Sequence, residues 1–236
     1  MDYSKQIFTA TSDEVRYNEG LRAYMLSVYN FMTLGLGITG LVAYLVSTSP
    51  ALLNAIYGTP LQWVVAFAPL GMIFLVMPRL MSFSVQKAQM MFYIFAGLMG
   101  LSLSWVFMAY TGESIVRTFL ISSSVFASMS LYGYTTKRDL TSMGSFLLMG
   151  LVGILIASVV NIFMQSSAIQ FVVSFLAIGI FVGLTAYDTQ KIKEVYYQVA
   201  GDNETASKVA VYGALSLYMD FINLFINLLR FFGDRR

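Results

Sequence analysis

Runs of roughly 20 apolar residues follow one another along almost the whole chain, separated by short polar stretches. As a helix, such a run crosses a hydrocarbon core about 30 Å thick. Lipid offers the backbone no hydrogen-bond partners, so each run must satisfy its own N–H and C=O groups by forming a helix. Composition points the same way: 58% of the 236 residues are hydrophobic and 11% are charged. A soluble domain carries about a quarter charged residues. The chain reads as an all-α polytopic membrane protein, a seven-helix bundle with spans at 24–47, 61–80, 88–110, 114–134, 143–165, 168–190 and 208–232.

Residues 1–22 are polar and of mixed charge and read as a short cytoplasmic tail; 23–236 form one transmembrane domain. A cleaved leader is not expected, because the first segment is acidic and the apolar run after it is too long for a signal peptide. Lysine and arginine set the orientation. With the N-terminus inside, the cytoplasmic side holds Lys5, Arg16, Arg22, Arg79, Lys87, Lys137, Arg138, Lys191, Lys193 and Lys208, ten of the fourteen basic residues. Arg117, Arg230, Arg235 and Arg236 fall on the other side. The C-terminal cluster is the misfit, and it raises the question of whether the last segment crosses fully.

No cysteine or histidine is present. Disulfides and thiol chemistry are thereby excluded, as are the usual neutral-pH titrating group and the commonest transition-metal ligand. A net charge of +2 gives no footprint for nucleic acid. No phosphate loop, nucleophile elbow or zinc-protease motif occurs, so neither an enzyme nor a cofactor is expected. Gly179 and Gly183, Gly35 with Gly37 and Gly40, and Gly150 with Gly153 are expected to be helix-packing positions.

The informative charges are those inside the spans, where an ionisable group costs roughly 2.5–3.5 kcal/mol or more and is kept for a cavity, a partner or a pathway. Asp220 lies in SLYMDFINLFINLLRFFG, about 18 Å along a helix counted from Lys208. Ser216, Asp220, Asn223, Asn227 and Arg230 fall within a sector of about 80°, with apolar residues around the rest of the helix. Such a stripe turns to the bundle interior; its asparagines are also the kind of residue that hydrogen-bonds between helices. Asp188, in GLTAYDTQKIKEV, lies opposite the Gly179–Gly183–Ala186 face and can alternatively be read as a solvated helix end beside Lys191. Arg79 ends the second span after Pro78 and is by itself an inside-positive anchor, while Glu113 is a loop or helix-start residue on the far side.

Two aspartates brought together would titrate in coupled steps and give pH sensitivity without histidine. Deprotonated, they would attract a cation, and oxygen-only ligation favours Ca²⁺. Counted from Lys193 and Lys208, the two lie about 7 and 18 Å deep, so contact needs offset helices.

At these residues the chain resembles a known family. ALSLYMDFINLFINLLRFFG (Ala214 to Gly233) and AYDTQKIK (Ala186 to Lys193) look like the two signature stretches of the bacterial branch of the Bax inhibitor-1 family. The resemblance implies a central last helix and a di-aspartyl pH sensor, here Asp188 and Asp220, interrupting a cation path. It implies that Arg79 bonds to the pair in the closed state, and that the protein is a pH-dependent Ca²⁺ leak of the bacterial inner membrane. The second span carries no acid at 61–80, where some relatives have one. The expected partners are therefore the bilayer, Ca²⁺ and protons, with acid closing the leak. The alternative is a non-conducting regulator that binds other membrane proteins such as proteases; a proton-coupled transporter lacks a legible substrate pocket.

Overall fold

Serine, threonine or aspartate precedes most of the apolar runs, and in the computed structural model these residues cap helices. The structure describes the backbone of residues 3–236 and side chains from Asn18 onward. Its helices are α1 (Tyr3–Thr48), α2 (Pro50–Tyr57), α3 (Leu61–Leu75), α4 (Val85–Leu103), α5 (Trp105–Ala109), α6 (Gly112–Thr135), α7 (Thr141–Met164), α8 (Ser167–Val199) and α9 (Asn203–Phe232). Ser49, Ser84, Thr111 and Ser166 accept hydrogen bonds from backbone N–H groups of the first turns of α2, α4, α6 and α8. Asp202 accepts from Glu204 N and Thr205 N at the start of α9. The Thr205 hydroxyl and these amides hold the Asp202 carboxyl below its usual range. Each cap satisfies donors that a helix start otherwise leaves orphaned.

Among the described residues six helices are long and apolar enough to cross a membrane, or seven if the bent pair α2 and α3 is counted as one broken span. The break corrects the expectation of a straight second span at 61–80. α3 ends at Leu75, Met77–Ser82 forms a 3₁₀ turn, and α2 meets α3 at 81° across Gly58–Pro60. Proline supplies no amide hydrogen and fixes φ, which explains breaks beside Pro60 and Pro78. α1 runs from Tyr3, so its backbone helix begins well before the apolar span and takes in most of the expected tail. The tail side chains before Asn18, Lys5 and Arg16 among them, lie outside the described residues.

α9 is the central helix, packed against α8, α1, α6 and α4. In its most apolar stretch 61% of residues are buried, against 6% for α7, which lies at the periphery. One polar knot ties the centre together. The Thr39 hydroxyl bonds to Gly35 O at 3.0 Å, Ala96 O at 2.8 Å and the Tyr218 hydroxyl at 2.7 Å, linking α1, α4 and α9. Thr39→Val keeps the shape but strands the fully buried Tyr218 hydroxyl. The expected loss is about 1–3 kcal/mol, read as a lower thermal midpoint in detergent, with Tyr218→Phe in the same background restoring part of it.

The C-terminal residues settle their position by contact. Tyr110 and Arg235 form an antiparallel bridge, and Thr111 N donates to Asp234 O at 3.1 Å. Arg117 pairs with Asp234 at 2.8 Å. The end of α9 therefore lies beside the start of α6, at the end of the bundle opposite the α8–α9 turn, and α9 runs the full length between.

Candidate functional site

Asp220 sits in the middle of α9, with Leu217, Tyr218 and Leu224 fully buried around it. Asp220 is itself 5% exposed, and its Oδ2 is buried without a hydrogen-bond partner. The predicted stripe is graded: Asn227 is buried, Ser216 and Asn223 are half-buried, and Arg230 is exposed at the helix end. The asparagines do not join helices. Asn223 Nδ2 donates to Met219 O and Asn227 Nδ2 to Asn223 O, both at 2.8 Å, within α9 itself. Their amide oxygens have no hydrogen-bond donor among the described residues.

Asp188 is presented by α8, the helix in closest association with α9. It accepts no hydrogen bond and makes no ion pair among the described residues, although Lys191 acts on it electrostatically from one turn away. Asp188 acts on Asp220 with the opposite sign, one carboxylate repelling the other across α8 and α9. Helix geometry accounts for the meeting. Ile192 packs against Gly213, which sets these two positions at one level. From that level Asp188 lies four residues deeper, about 6 Å, and Asp220 seven residues, about 10.5 Å. The offset is less than one helical turn. The opposite face of this part of α8 closes on its neighbours: Ala186 abuts Gly133 of α6, and Leu147 of α7 lies 2.5 Å from where a Cβ on Gly183 would sit. Gly179, Gly37, Gly40 and Gly153 face open space, so those four are not the packing positions expected.

Arg79 is elsewhere. Its Nη1 donates to Leu75 O at 2.5 Å, closing the end of α3, and its side chain is exposed. It has no hydrogen bond or ion pair with either aspartate among the described residues, in contrast to the contact implied by the resemblance. Glu113 lies in the first turn of α6, as its sequence position suggests.

One polar relay was not anticipated. Tyr29 of α1 shares a 2.6 Å hydrogen bond with Ser130 of α6, which shares one of 2.9 Å with Thr189 of α8, next in sequence to Asp188. Beside it, a cavity of about 650 Å³ opens between α1 and α6, lined by Arg22, Tyr29, Ser130 and Tyr134 and ending on Phe126 and Phe221. Phe126 of α6 and Phe221 of α9 meet edge to face at 5.6 Å in the wall of this cavity. The signal in the sequence was Ser114, Thr118, Ser122, Phe126 and Ser130, a four-residue repeat that forms the buried ridge of α6.

The oxygen inventory is modest. Among the described residues no group of three acids could hold a metal ion.

Together these features define a polytopic helical membrane protein organised around a central helix that carries a buried carboxylate. The inhibitor of apoptosis-promoting Bax1 family model matches residues 21–236. The chain belongs to this family, the Bax inhibitor-1 family, and is an integral protein of a bacterial inner membrane. It is 48% identical over 236 residues to an uncharacterized protein of Rickettsia prowazekii, covering 100% of this chain and 99% of that one. It is 43% identical over 243 residues to an uncharacterized protein of Caulobacter vibrioides, covering 99% and 97%. It is 40% identical over 231 residues to the inner membrane protein YbhL of Escherichia coli, covering 97% and 99%.

Proposed function

We propose that the protein is a pH-sensitive cation leak, with Ca²⁺ as the permeant ion and Asp188 and Asp220 as its gate. The observation that carries this reading is the Asp220 carboxylate, with a buried, unpartnered oxygen, beside a second carboxylate on the neighbouring helix. A polar group buried without a partner is costly, more so when charged, and in membrane helices such groups mark pathways. Protonated, the pair lets α8 and α9 stay packed and the path closed. Ionised, the two carboxylates repel, and relief comes from a cation or from separation of the helices. Acid therefore closes the leak. A site with so few acids suits an ion in transit rather than one retained, and the Asn223 and Asn227 amide oxygens continue the stripe along α9.

Ca²⁺ flux into liposomes holding the purified protein, measured across a pH series, tests the reading. Flux is expected to rise from acid to alkaline pH, with Asp220→Asn and Asp188→Asn each flattening the profile. A pH-dependent flux that survives both substitutions overturns the gate, and no flux in the wild type overturns the leak.

A further inference from the structure

A second polar concavity lies at the other end of α9. It has a volume of about 400 Å³ and is walled by the ends of α5, α7 and α9 and the first two turns of α8. Its lining includes Arg230, Arg235, Asn161, Gln170, Ser174 and Trp105 and contains no carboxylate. Neither arginine has an ion pair or hydrogen bond from its guanidinium among the described residues. The nearest acid along the chain, Asp234, is already taken by Arg117 at 2.8 Å. Ser174 is 3% exposed, lines the cavity, and has a buried hydroxyl with no partner. Asn161 Oδ1 accepts from Ser166 N at 3.0 Å, so the amide it has left to offer is a donor.

This inventory is one-sided. Two guanidiniums, two side-chain amides, an indole N–H and a stranded hydroxyl can all donate, and no carboxylate lines the cavity to compete for them. The start of α8 adds partial positive charge and the ends of α7 and α9 partial negative charge, so the attraction for an anion rests on the two guanidiniums. Arg235 is held over the cavity by its neighbours: Thr111 N to Asp234 O and Arg236 N to Ala109 O, which together make the Tyr110–Arg235 bridge, and Asp234 N to the Ser114 hydroxyl. Three hydrogen bonds fix Asp234, Arg235 and Arg236 and make Arg235 a built part of the wall. Guanidinium forks match phosphate oxygens in geometry as well as charge.

We infer that this cavity binds a phosphate group through Arg230 and Arg235, with Ser174 donating from its floor. The phosphate can belong to an anionic lipid headgroup or to a soluble ion, because the cavity lies at the membrane end of the bundle. The inference is independent of the leak reading, since it concerns the opposite end of α9 from the aspartate pair.

The chain has two tryptophans. Trp63→Phe leaves Trp105, in the cavity wall, as the reporter. The full-length protein is placed in nanodiscs of phosphatidylcholine and titrated with inorganic phosphate, then the titration is repeated with phosphatidylglycerol added to the discs. A saturable Trp105 response to phosphate, weakened about tenfold or more by Arg230→Gln/Arg235→Gln, supports the site. If phosphatidylglycerol abolishes the phosphate response in the wild type, the occupant is a lipid headgroup; if it does not, the occupant is the free ion. Arg235→Gln alone, outside every helix, and Ser174→Ala provide milder variants should the double variant not fold; each is expected to weaken binding severalfold. No response to either ligand, or equal affinity in the wild type and all variants, overturns the inference.

Discussion

Gly133→Ala is expected to destabilise the bundle by about 2–3 kcal/mol, seen as a lower thermal midpoint in detergent and faster proteolysis. A methyl on Gly133 would overlap the Ala186 carbonyl oxygen, and the Ala186 carbonyl carbon and Cα lie only 2.9 Å away. All of these are backbone atoms, so no rotamer change relieves the clash. Relief requires α6 and α8 to part. Parting them stretches the Ser130–Thr189 bond of 2.9 Å and the Lys193 Nζ to Tyr134 O bond of 2.9 Å, which fasten the same two helices. Gly179→Ala is the matched control. Nothing lies within 4 Å of a Cβ there, and alanine is favoured over glycine in a helix by about 1 kcal/mol. That variant is expected to be neutral or slightly more stable. Equal losses at the two positions would contradict the packing described here.

The same pair of glycines shows where sequence reasoning stops. Gly179 and Gly183 have the spacing of a small-residue contact, and only Gly183 makes one. A period identifies a face but not the neighbour that faces it. The more telling pattern was on α6, where Ser114, Thr118, Ser122, Phe126 and Ser130 recur every four positions and form its buried ridge. The broken second span was hidden for a related reason. Hydropathy counts apolar residues without direction, so α3 and the turn around Pro78 add up to the expected span at 61–80 although α3 itself ends at Leu75.

The centre was far more legible. A polar stripe on an otherwise apolar helix admits one orientation in lipid, and Asp220 is buried at the centre as that argument requires. The depth difference between the two aspartates misled because Lys193 and Lys208 were taken as one level. Neither is a helix end, since α8 continues to Val199 and α9 begins at Asn203, and the Ile192–Gly213 contact sets Lys208 about 7.5 Å further out than Gly213. No count along the sequence contains that contact. Arg79 was the reverse case, a residue whose role came from resemblance alone and whose bond in this structure is to Leu75 O at the end of α3, just before its own 3₁₀ turn.

Ca²⁺ is expected to raise the thermal midpoint of the wild type at alkaline pH and to lose that effect in acid, while Asp220→Asn loses it at every pH. A ligand that binds the folded state alone stabilises it by RT ln(1 + [L]/Kd), about 2.7 kcal/mol at a hundredfold excess over Kd. The ionised pair supplies the charge that attracts the cation, and protons compete for the same oxygens, so acid removes the gain. Asp220→Asn has a second consequence without any Ca²⁺. The wild type at alkaline pH must keep a carboxylate at 5% exposure with Oδ2 unpartnered, beside another carboxylate. The amide is nearly the same shape and carries no charge. Asp220→Asn is thus expected to be more stable than the wild type at alkaline pH, by on the order of 1–3 kcal/mol, with the difference shrinking as the wild type is protonated. Asp188→Asn, at a half-exposed position, follows the same direction with a smaller gain. A packing role for Asp220 predicts the opposite sign, because a carboxylate kept for its contacts loses stability when replaced. The melting series therefore separates a gate from a structural strut even before any flux is measured.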